Sequence, residues 1–177
     1  MHNLNFITHN ANGLKSTQKR IKMFEYYRDK LSNNGILFLQ ETHSCKDTFD
    51  KWRDEFRGEI FFSHGATNSC GVMIGYLGSK KFTVNKINQD SNGRILIIEV
   101  NIDDELLVLI NFYNSNTETE QIKTLNDLEF LLSEFSLDSS KQVIFAGDFN
   151  LIFDINLETS GGNPSLKKNQ FQNFYKS

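Results

Sequence analysis

The spacing of apolar and polar positions changes several times along the chain. Over residues 4–10, Leu4 and Phe6 alternate with polar neighbours, which predicts a half-buried strand, and Asn12-Gly13 follows as a turn signal. Over residues 16–31, Ile21, Phe24, Tyr27 and Leu31 lie three and four apart. That spacing predicts an amphipathic helix with Ser16 or Thr17 as N-cap, stopped by Asn33-Asn34-Gly35. Residues 36–39 are a continuous apolar run and predict a buried strand, so strand, helix and parallel strand form a crossover unit. Residues 47–57 predict a shorter helix with Phe49, Trp52 and Phe56 on one face. Five strands are predicted next, over residues 59–64, 71–77, 82–88, 94–102 and 106–112. The turn signals Asn68-Ser69, Gly78-Ser79, Asn92-Gly93 and Asp103-Asp104 space them as an antiparallel meander. A third helix is predicted over residues 117–135, with Ile122, Leu125, Leu128, Leu131, Leu132 and Phe135 as its stripe and Thr117 with Glu120 as a capping box. Val143 to Ala146 is another short buried strand, and it runs into Gly147-Asp148-Phe149-Asn150. Beyond that the pattern weakens to a loop over residues 160–165 and a helix start over residues 166–177, with Phe171 and Phe174.

No internal repeat, linker or low-complexity tract interrupts the 177 residues, so one domain is expected over residues 1–177. Sixteen phenylalanines and a single proline, Pro164, fit a large aromatic core rather than a disordered chain. The net charge of -3 provides no overall basic field, so any polyanion must be held by a local patch or a metal ion. Cys45 and Cys70 have neither metal-ligand spacing nor a disulfide framework, and two free thiols suit a reducing compartment. The first residues lack a basic segment followed by an apolar one, and no apolar run approaches the ~20 residues of a membrane span. A soluble intracellular protein without a membrane partner is expected.

Four predicted strands end in polar groups: Asn10 with Asn12, Gln40-Glu41, Tyr113 with Asn116, and Asp148 with Asn150. Ligand crevices of α/β sheets lie at such carboxyl ends. Carboxylates and amides without Cys or His suit a hard divalent cation such as Mg²⁺, with Mn²⁺ as a substitute. An acid beside that ion can hold or deprotonate a water, which is the chemistry of phosphodiester or phosphomonoester hydrolysis. Each residue also has a plainer reading. Asp148 and Asn150 cap turns well, Asn12 belongs to an Asn-Gly turn, and Tyr113 can be a half-buried strand aromatic. His43 beside Glu41 reads as a rim residue. Lys15, Lys19, Arg20 and Lys22 read as a solvated helix face that could touch DNA phosphates, and Arg94 as a hairpin-end residue with a DNA role.

The segments NANGL (Asn10 to Leu14), LQET (Leu39 to Thr42), NFYNSN (Asn111 to Asn116) and GDFN (Gly147 to Asn150), in that order, resemble the endonuclease/exonuclease/phosphatase superfamily. Within it the chain is most similar to the apurinic/apyrimidinic-type endonuclease domain of non-LTR (LINE-like) retrotransposons. LQETHS, the GVMIGY strand, SNGRILII and a Ser-Gly-Gly loop after GDFN carry that closer likeness. The resemblance implies an α/β four-layer sandwich of the DNase I-like type, with two mixed sheets flanked by helices. It implies Glu41 as the principal Mg²⁺ ligand, Asn10 at the metal and phosphate with Asn12 beside it, and Tyr113 on the scissile phosphate. Asp148 then orients or activates the water, Asn150 supports the transition state, and Asn116 matches a rim position near the DNA strand. The implied activity is Mg²⁺-dependent nicking of DNA for target-primed retrotransposition by a monomer in the nucleus, fused to a reverse transcriptase in the full element. Two other readings compete: a phosphatase of the same superfamily acting on inositol phosphates or lipids, and a catalytically dead retroelement fragment. The family carries a late Ser-Asp-His segment, whereas His2, His9, His43 and His64 all precede GDFN here. The expectation is therefore an amino-terminal portion of the domain, incomplete at its C-terminus and weak or inactive alone.

Overall fold

The computed structural model describes residues 4–65 and 69–150. The predicted loop at 160–165, the helix start at 166–177 and Asn68 of one turn signal lie outside the described residues. The elements are β1 (Asn5–Asn10), α1 (Thr17–Leu31), β2 (Gly35–Gln40), a single 3-10 turn at Lys46–Thr48, α2 (Phe49–Phe56), β3 (Glu59–Ser63), β4 (Val72–Leu77), β5 (Phe82–Gln89), β6 (Ile95–Ile102), β7 (Glu105–Tyr113), α3 (Glu118–Ser133) and β8 (Gln142–Asp148).

Two four-stranded sheets form, in the orders β1-β2-β4-β3 and β5-β6-β7-β8. β1 and β2 are parallel, as are β7 and β8, and the remaining neighbours are antiparallel. The five predicted meander strands are antiparallel to one another wherever they pair, but they do not share one sheet. The chain leaves the first sheet after Leu77 and enters the second at Phe82.

Alternation along each strand decides the layers. Leu37 and Leu39 of β2 and Met73 of β4 pack under α1 and α2 with Phe24, Tyr27, Trp52 and Phe56. Ile36, Phe38, Ile74 and Tyr76 face the other way, against Leu96, Ile98, Val100, Leu107 and Leu109 of the second sheet. The outer face of that sheet, with Ile97, Val108, Ile110 and Phe112, packs on Leu128 and Phe135 at α3. The result is helix, sheet, sheet, helix, the four-layer sandwich expected from the resemblance. Because β2 and β4 are covered on both faces, they read in sequence as unbroken apolar runs.

One of the two N-cap candidates is borne out, and several other local expectations are corrected. Ser16 is the N-cap of α1, its Oγ accepting from Lys19 N at 3.4 Å. The helix is stopped by Ser32 and Asn33, both left-handed at φ 52 and 51, while Gly35 already belongs to β2. Gly35 is needed there because a Cβ would lie 2.3 Å from the Asn5 carbonyl oxygen. The capping box at α3 does not form, since Thr117 occupies the N-cap without a side-chain cap bond. Ile21 and Ile122 lie on predicted apolar stripes yet are 38% and 48% exposed. No helix among the described residues is long and apolar enough to cross a membrane.

Candidate active site

The carboxyl ends of β1, β2, β7 and β8 meet where the two sheets face each other. The β1–β2 ladder continues past both strands, with Ala11 N donating to Gln40 O at 2.8 Å, Gly13 N to Glu41 O at 2.7 Å and Leu14 N to Thr42 O at 3.0 Å. Asn12, Glu41 and His43 take left-handed backbone at φ 45, 50 and 55. For residues other than glycine this costs about 1–2 kcal/mol each, so both loops are held rather than free. The Glu41 loop is pinned further by Thr42 N to Gly71 O and His43 N to Cys70 O, both at 2.9 Å. The His43 ring lies over the first loop, close enough that a Cβ on Gly13 would come 2.9 Å from its Nδ1.

Four of the sequence-predicted residues join in one cluster. Asn10 Nδ2 donates to Glu41 Oε1 and to Asp148 Oδ2, each at 2.9 Å. The Tyr113 hydroxyl donates to Glu41 Oε1 at 2.6 Å. The Asn12 backbone N–H donates to Asn10 Oδ1 at 3.0 Å, which fixes the orientation of the Asn10 amide. Asp148 faces Tyr113 in the β7–β8 register, and its Oδ1 accepts from Asn150 N at 3.1 Å. Just before it, Gly147 lies so close to β7 that a Cβ would sit 1.9 Å from the Phe112 carbonyl oxygen.

The other predicted residues are placed differently. The Asn150 side chain donates to Asn114 O at 2.8 Å and so braces the turn after β8, with only its backbone N–H reaching the cluster. The Asn12 side chain is exposed. Asn116 is exposed on the β7–α3 loop and is not hydrogen-bonded to the cluster. Arg94 stands over the Tyr113 ring at 5.2 Å and donates to Tyr113 O at 3.4 Å. Arg20 is not part of a solvated face: it is 2% exposed, paired with Glu55, and donates to the Leu14 carbonyl at 2.9 Å.

Sequence reasoning passed over the amides beneath the cluster. Gln40 Nε2 donates to Asn111 Oδ1 at 2.7 Å, and Asn111 Nδ2 donates to Leu39 O at 3.0 Å and Met73 O at 2.8 Å. This buried bridge ties β7 to β2 and β4, one residue before Glu41 and two before Tyr113. Its signal was one amide inside the apolar run LLVLINFY. Asp90 was also missed. Its carboxylate accepts from the backbone N–H groups of Asn92, Arg94 and Ile95 and so shapes the turn that presents Arg94.

Burial alone would raise the pKa of Glu41. The hydrogen bonds from Asn10 and Tyr113, with the charges of His43 and Arg94, outweigh it and hold the carboxyl below its ordinary value. Burial, then the bond to Glu41 and its negative charge, pushes the Tyr113 phenol far above its ordinary value, so it stays protonated. No group of three or more His, Cys, Asp or Glu among the described residues is arranged to hold a metal ion. The two carboxylates present nevertheless suit Mg²⁺, which needs only one or two and keeps several waters. Glu41 uses Oε1 for both of its hydrogen bonds, and Oε2 accepts none among the described residues.

No family model matches the chain. The Transposon TX1 uncharacterized 149 kDa protein of Xenopus laevis is 28% identical over 151 residues, which is 85% of this chain and 11% of that protein. The chain thus spans about a tenth of that relative's length. Among solved structures, TDP2 from Caenorhabditis elegans superposes with a TM-score of 0.59 at 20% identity, over 91% of this chain and 50% of that one. TDP2 from D. rerio, complexed with single strand DNA product, gives 0.60 at 21% identity, over 92% and 66%. An AP endonuclease from Archaeoglobus fulgidus gives 0.58 at 21% identity, over 84% and 58%. These likenesses agree with the resemblance read from the four motifs. The fold is that of the DNase I-like AP endonuclease and TDP2 structures.

Proposed function

We propose that the chain is a Mg²⁺-dependent phosphodiesterase of the endonuclease type that nicks DNA, in the service of transposition. The observation that carries this reading is the Asn10 amide, which bridges Glu41 and Asp148 from two sheets while Tyr113 donates to the same Glu41 oxygen. The transposon relative and the DNA-processing structures of the same fold support the substrate class.

Glu41, with Asn10 beside it, would hold the ion. Bound there, Mg²⁺ would supply positive charge to a phosphate oxygen and lower the pKa of a water. Asp148 is braced by Asn10 and by the Asn150 backbone, so its carboxylate is set to take a proton from the attacking water. Tyr113 remains protonated, and its one O–H, turned from Glu41 Oε1, would donate to a non-bridging oxygen of the substrate. Asn150 steadies the turn under Asp148. Arg94, Asn12 and Asn116 supply cationic and amide groups toward the backbone of the strand.

Nicking of supercoiled plasmid with Mg²⁺, with and without EDTA, tests this reading. Loss of the water-activating acid in Asp148→Asn is expected to slow nicking by about 10²–10⁴-fold. Glu41→Gln is expected to abolish both nicking and the thermal stabilisation by Mg²⁺, which is about 1.4 kcal/mol at tenfold excess over Kd. Plasmid left intact by a protein that Mg²⁺ stabilises would overturn the proposal. Release of phosphate from phosphoinositides by that protein would point to the phosphatase instead.

A further inference from the structure

The exposed helix face that sequence reasoning left to solvent or DNA holds one residue with a different task. Lys19 Nζ donates to Ala11 O, Asn12 O and Gly13 O, each at 2.8 Å. Three successive carbonyls converge on one point because Asn12 and Gly13 are both left-handed, at φ 45 and 77. An ammonium has three N–H groups, and all three are used here. The opposite side of the same loop is equally occupied. Asn12 N–H holds Asn10 Oδ1 at 3.0 Å, and the N–H groups of Ala11, Gly13 and Leu14 hold the Glu41 loop.

We propose that Lys19 is a positioning residue for Asn10. Its ammonium fixes the 11–13 loop in its strained form, the loop presents Asn12 N–H to Asn10 Oδ1, and that contact aims Asn10 Nδ2 at both Glu41 and Asp148. Removing the ammonium leaves the three converging carbonyls to separate waters, which do not tie them to one point. The left-handed pair then relaxes and the Asn10 amide loses its anchor. Arginine does not substitute, because a planar guanidinium fork cannot give three N–H groups to one converging triplet.

The test compares Lys19→Met and Lys19→Arg with the wild type by amide hydrogen exchange, with Ile97 in β6 as the report on global folding. Exchange at Asn12 and Gly13 is expected to quicken about tenfold or more in both variants while Ile97 is unchanged, consistent with losing a charge-assisted hydrogen bond. In the nicking assay, which rests on the proposed function, kcat is expected to fall about tenfold or more with KM for DNA unmoved, as misplacement of a reacting group does. A phosphate-binding lysine gives the reverse pattern: KM rises, arginine restores it, and exchange at Asn12 and Gly13 is unaltered. That pattern, or unchanged exchange in Lys19→Met, overturns the inference. The exchange result stands even for a chain that does not nick DNA, so the two proposals fail separately.

Discussion

Replacing Asn111 by leucine tests whether the buried amide bridge sets the distance between the sheets. The side chain is fully buried, and Gln40 opposite it is 1% exposed. Asn111→Leu keeps nearly the same shape but removes the acceptor of Gln40 Nε2 and the donors to Leu39 O and Met73 O. Gln40 keeps only a 3.2 Å contact to Thr8 Oγ1. An orphaned buried polar group costs about 1–3 kcal/mol, and each lost bond about 1 kcal/mol net. The expected total is about 4–6 kcal/mol, a large part of the 5–15 kcal/mol typical of a domain. Gln40→Leu alone should cost about 1–3 kcal/mol, because it strands Asn111 Oδ1. The double variant removes donor and acceptor together, so its cost should fall short of the sum by about 1–3 kcal/mol. Urea unfolding followed by far-UV circular dichroism and by Trp52, the single tryptophan, measures all four proteins. Additivity within about 0.5 kcal/mol, or a stabilised Asn111→Leu, would refute the reasoning.

Two further outcomes follow from the geometry around the cluster. Gly147→Ala places a Cβ 1.9 Å from the Phe112 carbonyl oxygen at φ 152, so β8 must shift; a loss of about 3 kcal/mol or more in urea unfolding is expected, and an unchanged midpoint would contradict the close β7–β8 approach. Glu41 has a folded-state pKa below its unfolded one, so its contribution is present above the ordinary glutamate value and lost as pH falls through the lower folded value. Because the group is partly exposed, the effect is at most about 1 kcal/mol. Glu41→Gln should therefore flatten the acid limb of the stability profile between those two values, and an acid limb identical to that of the wild type would show that its hydrogen bonds do not favour the ionised form.

What could be read from sequence was whatever burial forces on composition. β2 and β4 are covered by helices on one side and a sheet on the other, so GILFLQ and VMIGYL stand out as apolar runs. The sequence does not show which strands share a sheet, because a period of two is the same in either. Gly78-Ser79 changes sheets, while Asp103-Asp104 closes a hairpin within one. Thr117 and Glu120 satisfy the pattern of a capping box, yet Thr117 makes no cap bond and Thr124 Oγ1 takes the Glu120 carbonyl at 2.7 Å. The polar strand ends were legible as a set. Their convergence depends on a cross-sheet register that Gln40 and Asn111 fix, more than seventy residues apart in sequence.

The choice of an amide at the centre of the cluster follows from charge. Glu41 and Asp148 share Asn10, and two carboxylates so near each other repel and favour a shared proton. A lysine or arginine at position 10 would relieve that repulsion by neutralising the pair, and a cation would then have little to bind. Asn10 gives one N–H to each acid and adds no charge. Its oxygen is already held by Asn12 N, so the amide cannot flip and present an acceptor to the acids. The cation at hand, Arg94, acts on Glu41 through its electrostatic surroundings without pairing to it in an ion bridge. The site therefore favours the ionised form of Glu41 and, among the described residues, bonds no protein cation to either acid, which is the electrostatic condition a hydrated divalent ion requires.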